Sequence, residues 1–321
     1  MNWLICAFKP SEICLVIFTQ IVGLDTTEGG LGVSVCNENK LHVWETKRGT
    51  VRRTLCGHMG DVYTCHFFPS GVVILSGGAD MQLRIWSAET GECPVVLVGH
   101  IGAITDTAII DRGRNIISVS KDGTARLWDC GESRCLEILH NAHSVVNACS
   151  LHASPLLMNK SPSTPVSDRE VATEGKMLLL ACEAGNLQAL DVRNRELLFT
   201  FPCPDAANCV AWLTEHHFAV GCQNGDVLLG DIRSSTLFPV LAFTDSASPA
   251  LSLLRWGEGN RLFVGRSDGT VIGYSSDPAQ PKLQLTGSDC DSIYGLSQDS
   301  FHVYTACRDA TIRKYKIDSL F

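Results

Sequence analysis

Residues 99–129 read GHIGAITDTAIIDRGRNIISVSKDGTARLWD. Lys121-Asp122-Gly123-Thr124 sits between two short stretches, 116–119 and 125–128, that are β-branched, aromatic or alternating. Asp-Gly tolerates the positive φ that a tight hairpin turn demands, and the flanks carry the pattern of strands. The stretch opens on Gly99-His100 and closes on Trp128-Asp129.

The same grammar recurs along the chain. Positions equivalent to Asp122 are Glu38, Asp80, Ala184, Asn224, Asp268 and Asp309, and the spacings from Glu38 onward are 42, 42, 62, 40, 44 and 41. A period of roughly 40–45 residues with four strands per repeat predicts an all-β, seven-bladed β-propeller. The spacing of 62 is one period plus an insertion of about 20 residues, placed at roughly 152–176 and containing SPSTP. Its proline and serine density predicts a solvated loop, with Ser161 and Thr164 as candidate phosphoacceptors before proline. Deleting 155–172 is then expected to cost little. No amphipathic helical stretch of useful length interrupts the pattern, which argues against an α-solenoid.

The apolar fraction of 45% and charged fraction of 19% allow a large core. A net charge of −8 argues against a nucleic-acid partner, which would need clustered Lys and Arg, and favours a basic one. The 15 cysteines include no C-x-x-C pair, so no zinc site is expected; most fall in apolar runs, where a reduced thiol acts as a small hydrophobe. Cysteine usage points to a reducing compartment, the cytosol or also the nucleus. No secretory signal is legible, and the longest apolar run, 13–18, is too short to span a bilayer.

Gly57-His58 and Gly99-His100 as openings, with Trp86 and Trp128-Asp129 as closings, resemble the WD-repeat family. The resemblance implies a hydrogen-bonded His–Ser–Asp–Trp tetrad inside a blade. Two repeats match it in full, His58, Ser76, Asp80, Trp86 and His100, Ser118, Asp122, Trp128. His143 aligns with the blade-opening histidine, while Trp44, Leu190, Gly230, Tyr274 and Tyr315 stand at the Trp position elsewhere. The last repeat stops after its third strand near Ile317; residues 13–18 could supply a closing fourth strand, and 1–19 otherwise stay unassigned beside a propeller over 20–321.

The stretch GHMGDVYTCHFFPSG…GGADMQLRIW…GHIGAITDTAI…SVSKDGTARLWDCG further resembles the proteasomal ATPase-associated factors, with similarity from about Gln20 to the C-terminus. That resemblance implies a chaperone of proteasome regulatory-particle assembly that binds the C-terminal domain of a proteasomal ATPase subunit. Members carry a longer region before the propeller, which residues 1–19 do not resemble. An alternative is a substrate receptor of a cullin-type ubiquitin ligase, whose repeats end W-D-x-R. Leu190-Asp191-Val192-Arg193 and Gly230-Asp231-Ile232-Arg233 keep the Asp and Arg without the Trp.

Catalytic patterns do not assemble. Gly265-Arg266-Ser267-Asp268-Gly269 matches G-x-S-x-G, but a strand follows where a nucleophile elbow needs a helix. His140 and His143 stand near no further ligand, and the glycines near Gly30 and Gly32 lack a βαβ context. The reading is a non-enzymatic, monomeric scaffold with no cofactor, metal, membrane or small-molecule substrate. In WD propellers the blade-opening loops and hairpin turns share one face. Here that face would carry Glu38, Asp61, Glu183, Asp205, Asp226, Asp245, Asp289 and Asp291, fewer bases (Lys40, Lys121, Arg308), and small apolar residues Ala79, Ala103, Val145, Ala206 and Ala250. The candidate partner-binding residues are Asp61, Ala103, Lys121, Val145, Glu183, Asp205, Gln223 and Arg308. The opposite face would collect Lys47, Arg48, Arg112, Arg114, Arg134, Arg193, Arg195 and Arg233.

Overall fold

The computed structural model describes residues 6–8, 12–16, 20–36, 38–158, 165, 167–234, 237–240, 248–257, 261–274, 281–288 and 291–317, with backbone alone for 6–8, 12–16, 237–240 and 281–282. Its described strands form seven sheets, antiparallel but for one outermost strand, arranged as the blades of a propeller. The strands that begin each blade are Ile21–Thr26, Val62–Phe67, Ile104–Ile110, Val146–Ala153, Ala207–Trp212, Ala250–Arg255 and Ile293–Gln298. Each packs on the next, and the seventh packs on the first, so these strands close a ring around a central channel.

In blades 1 to 6 the chain then runs outward as a four-strand meander, as in Ile104–Ile110, Asn115–Ser120, Thr124–Asp129 and Arg134–Asn141 of blade 3. Blade 7 takes three strands from the C-terminal end and its fourth from the N-terminal side: Glu12–Val16 pairs antiparallel with Thr311–Lys316. That pairing covers what would be an open edge. Cys6–Phe8 adds a parallel fifth strand outside Pro281–Leu285 of blade 6.

Burial follows from position. The second strand of a blade lies between neighbouring blades on both faces and is buried throughout, as in Asn115–Ser120. The outermost strand faces water, and Val51–Cys56 buries only Leu55. The core is therefore a ring of interblade layers. Trp86 of blade 2 packs among Val33, Val35 and Leu41 of blade 1, and Trp128 of blade 3 among Leu75, Leu83 and Leu97 of blade 2. Each such indole contributes on the order of 4–6 kcal/mol of gross burial, an upper bound before conformational entropy.

The insertion corrects the solvated-loop reading. It joins the first and second strands of blade 4, and its second half is docked. The Glu170 side chain is fully buried: Oε2 lies 2.6 Å from Arg195 Nη2 and Oε1 3.8 Å from Arg193 Nη1, while Oε1 also accepts a 2.7 Å bond from the Thr173 hydroxyl. Val171 N–H donates to Asn115 Oδ1 of blade 3 at 2.7 Å, and Leu157 and Thr173 are buried. Composition averaged over the segment hides a single buried carboxylate that lies beside two guanidinium groups. Ser161 and Thr164 lie outside the described residues.

Candidate partner-binding face

Both tetrads are assembled. Trp86 Nε1 donates to Ser76 Oγ at 2.9 Å, Ser76 Oγ lies 2.7 Å from His58 Nε2, and His58 Nδ1 lies 2.8 Å from Asp80 Oδ2. Blade 3 repeats this with 2.8 Å from Trp128 to Ser118, 2.7 Å from Ser118 to His100 and 2.8 Å from His100 to Asp122. An indole N–H only donates and a carboxylate only accepts, so a neutral imidazole fixes the direction: Trp to Ser, Ser to His Nε2, His Nδ1–H to Asp. Burial lowers both histidines against the pull of their aspartates, which keeps them neutral. Burial alone would raise Asp122, but bonds from the Thr124 hydroxyl, His100 and the Thr124 and Ile101 amides outweigh it and hold the carboxyl well below its usual range.

The tetrads set the shape of one end of the propeller. Asp80 and Asp122 bind the Met59 and Ile101 amides at 3.2 and 3.0 Å. That bond fixes each blade-opening loop over its hairpin turn, and it leaves Met59 84% and Ile101 82% exposed. Gly123 completes the blade 3 turn at φ +81°, where a Cβ would come 3.0 Å from Ser144 O.

A backbone bond repeats beside the turns of blades 2 to 7 and pairs their residues with the blade-opening ones. It runs from Ala79 N to Asp61 O, Lys121 N to Ala103 O, Glu183 N to Val145 O, Gln223 N to Ala206 O, Ser267 N to Pro249 O and Arg308 N to Ser292 O, at 2.7–3.0 Å. The candidate residues Asp61, Ala103, Lys121, Val145, Glu183, Gln223 and Arg308 therefore lie on one rim, and Asp205 adjoins it through Ala206. Lys121, Glu183, Asp205, Gln223 and Arg308 are exposed, and Asp61, Ala103 and Val145 half-buried.

A layer that the sequence reading missed positions this rim. In all seven first strands the register slips at the second residue, a β-bulge at Val22, Tyr63, Thr105, Asn147, Asn208, Leu251 and Tyr294. A bulge re-aims its side chain, and all seven line a cavity of about 280 Å³ in the channel. Asn147 donates to Glu183 Oε2 at 2.7 Å and to Ala207 O of the next blade at 2.9 Å; Asn208 donates to Gln223 Oε1 at 2.8 Å and to Ala250 O at 3.2 Å. Lys121 Nζ stands 5.5 Å from the Tyr63 ring centroid. The only trace of this layer in the sequence is its period, two residues into each first strand.

Several placements differ from expectation. Ala142, buried, occupies the position of the blade-opening histidine in blade 4, four residues before its first strand. His143 lies one residue further, exposed at φ +55°, in a blade that has Ala184 where the tetrad aspartate would stand. Ala250 is fully buried as the first residue of its strand, and Pro249 takes its place on the rim. Asp245 and Asp289 lie outside the described residues.

The opposite face is less basic than its residue tally. Arg114 pairs with Asp129 at 3.0 Å, Arg134 with Glu132 at 3.1 Å and Arg233 with Asp231 at 2.7 Å, besides Arg193 and Arg195 with Glu170. The two D-x-R sequences thus do different things. Arg233 lies on its own Asp231, whereas Arg193 turns into the insertion. Residues 265–269 run from the end of strand Leu262–Arg266 into the hairpin turn before Val271–Tyr274, with Arg266 buried.

The degraded blades use other partners. Asp309 pairs with Arg313 of its own blade, and Asp268 accepts from the Thr270 hydroxyl at 2.6 Å. In blade 1 the Trp44 ring covers Gly32 and meets Tyr304 edge-on at 6.0 Å, leaving its Nε1 and Ser34 Oγ buried without hydrogen bonds.

Comparison with known proteins matches the WD domain, G-beta repeat, at 49–87 and 91–129, the two repeats that hold the complete tetrads. Proteasomal ATPase-associated factor 1 of Homo sapiens is 47% identical over 296 residues, covering 92% of this chain and 74% of that protein. The Gallus gallus protein of the same name is 44% identical over 303 residues (94% and 76%). A Dictyostelium discoideum protein, probable proteasomal ATPase-associated factor 1, is 42% identical over 310 residues (89% and 72%). With this identity over about nine-tenths of its length, the chain belongs to the proteasomal ATPase-associated factor 1 family of WD-repeat proteins.

Proposed function

We propose that this chain is a non-catalytic scaffold that binds proteasomal ATPase subunits of the regulatory particle through their C-terminal domain and acts as a chaperone or regulator of assembly. The rim around the channel mouth is the binding face. One observation carries this reading: exposed acids, Glu183 and Asp205, are fixed at the same end of the propeller as the outward-facing Met59 and Ile101. Apolar anchors beside a charged rim suit a protein partner that presents aliphatic side chains among basic ones. The tetrads and the ring of bulges hold the rim before the partner arrives, which lowers the ordering cost of binding. The protein works as a monomer in isolation, in the cytosol and also in the nucleus.

The test is titration of the full chain against the isolated C-terminal domain of each proteasomal ATPase subunit. Saturable binding to one of them is expected. It should weaken roughly tenfold or more in Met59→Ser/Ile101→Ser with no change in melting temperature. Binding to none of them, together with capture of a cullin adaptor, would replace this reading with the ligase one.

A further inference from the structure

Blade 5 lacks a tetrad and carries a thiol at its blade-opening position. Cys203 stands four residues before the first strand of the blade, the place of His58 and His100 in blades 2 and 3. Cys222 ends the second strand and pairs with Ala207, as Gly78 pairs with Val62 and Ser120 with Ile104. Strand alternation puts that position on the same face as the tetrad serine, two residues earlier. Side chains there reach the blade-opening segment elsewhere in the ring: Ser120 Oγ donates to Gly102 O at 2.9 Å, and Cys307 Sγ to Asp291 O at 3.3 Å. In blade 5 the same reach ends on Cys203. The two thiols belong to one apolar cluster, with Cys222 fully buried and Cys203 half-exposed.

We propose that Cys203 and Cys222 form a peroxide-sensitive modification site that closes to a reversible disulfide. Cys203 is the attacking sulfur, because it is the one of the pair that solvent reaches. Its thiol is held below the ordinary range, first by the bond from the Cys222 S–H and then by the Leu187 amide, against the opposing effect of burial. The neighbouring Cys182 and Cys209 are each pushed up to about 12 by burial and stay protonated.

The Cys203 thiolate attacks one oxygen of a hydroperoxide, the O–O bond breaks, and water or an alcohol leaves once the departing oxygen takes a proton. Cys203 is then an uncharged sulfenic acid. Cys222 is raised first by its bond to the Cys203 thiolate, so that cause disappears with the charge. Its sulfur attacks Cys203, the S–O bond breaks, and water carries away the oxygen with the thiol proton. Overall two thiols lose two electrons and two protons, and the peroxide is reduced. The bridge ties the blade-opening segment to the strand end just before Gln223, beneath Asp205 of the rim.

The experiment treats the full chain with one equivalent of hydrogen peroxide near neutral pH, followed by alkylation and non-reducing peptide mapping. A single peptide pair joining Cys203 to Cys222 is expected, lighter by two hydrogens and restored by a dithiol reductant. Cys203→Ser and Cys222→Ser should each abolish it while keeping the wild-type melting temperature, and Cys182→Ser should leave it in place. A cross-link through Cys182, or Cys203 carried on to the sulfinic acid with no cross-link, overturns the proposal. Should a serine variant unfold, alkylation of the native chain decides: Cys203 must react roughly tenfold or more faster than the exposed Cys56, and a slower Cys203 refutes the site.

Discussion

Asp122 is the shared acceptor of the blade 3 network. It takes bonds from His100, from the Thr124 hydroxyl and amide, and from the Ile101 amide. Asp122→Ala leaves those donors unpaired, and a buried unpaired donor costs about 1–3 kcal/mol. The expected outcome is a lower urea midpoint with an unchanged slope, and an unchanged midpoint would contradict this account of the network. The two tetrad histidines also make stability depend on pH. Their folded pKa values are lowered, so between those values and the ordinary value of about 6.5 the unfolded chain binds more protons. Their contribution is complete above about 6.5 and is lost as the pH falls through the folded values. His66 works in the opposite sense. Burial lowers it, but the bond to Asp106 and the charges of Asp25 and Asp106 outweigh that, so its contribution is complete at low pH and fades as the pH rises through its folded value. The two tetrad histidines and His152, all lowered, against one raised channel histidine predict a lower melting temperature at pH 5.5 than at 7.5. His58→Gln/His100→Gln should shrink that difference, and a difference of the same size in this variant would rule the tetrads out as its source.

At the scale of elements, the insertion in blade 4 is a clamp whose working part is short. Glu170 is its anchor, and removing one partner of a buried ion pair strands the others. Arg193 and Arg195 keep some exposure, so Glu170→Ala should cost about 3 kcal/mol, the low end for such pairs. Deletion of 155–172 removes the same carboxylate and should destabilise to a similar degree, although a change of loop length by itself costs little. Chemical denaturation of both variants checks this. Retention of full stability in the deletion would mean that water satisfies the two arginines as well as Glu170 does.

At the scale of the whole molecule, the proposed binding face lies at one end and the ion-paired arginines at the other. Triple reversal at Asp61, Glu183 and Asp205 should slow association with the partner domain roughly tenfold and flatten its salt dependence, without lowering the melting temperature. Reversal of Lys47, Arg48 and Arg112, exposed in turns at the other end, should do neither. Arg193, Arg195 and Arg233 are unsuitable for that control, since their reversal would break the ion pairs with Glu170 and Asp231 and change stability as well. Stopped-flow association at two salt concentrations makes the comparison. Slowing by the Lys47, Arg48 and Arg112 set alone would move the binding face to the other end.

The repeat period, the hairpin turns and the two complete tetrads are all legible in the sequence because each depends on residues inside one repeat of about 42 positions. His58 finds Asp80 by spacing alone, as His100 finds Asp122. Partners drawn from different strands and blades are not legible in this way. Glu170 meets Arg195 only because the insertion returns to the edge of its own blade, and Asn147 reaches Glu183 only because a bulge turns it toward the mouth. Trp44 keeps the residue type of a tetrad tryptophan, but its indole is not bonded to Ser34, and it packs over Gly32 against Tyr304 of blade 7. Local preferences and hydrophobic period act along the chain and set which segments become strands. The partner of each polar side chain is chosen by the packing of blade against blade, where a buried group takes whatever donor or acceptor the neighbouring element brings within reach.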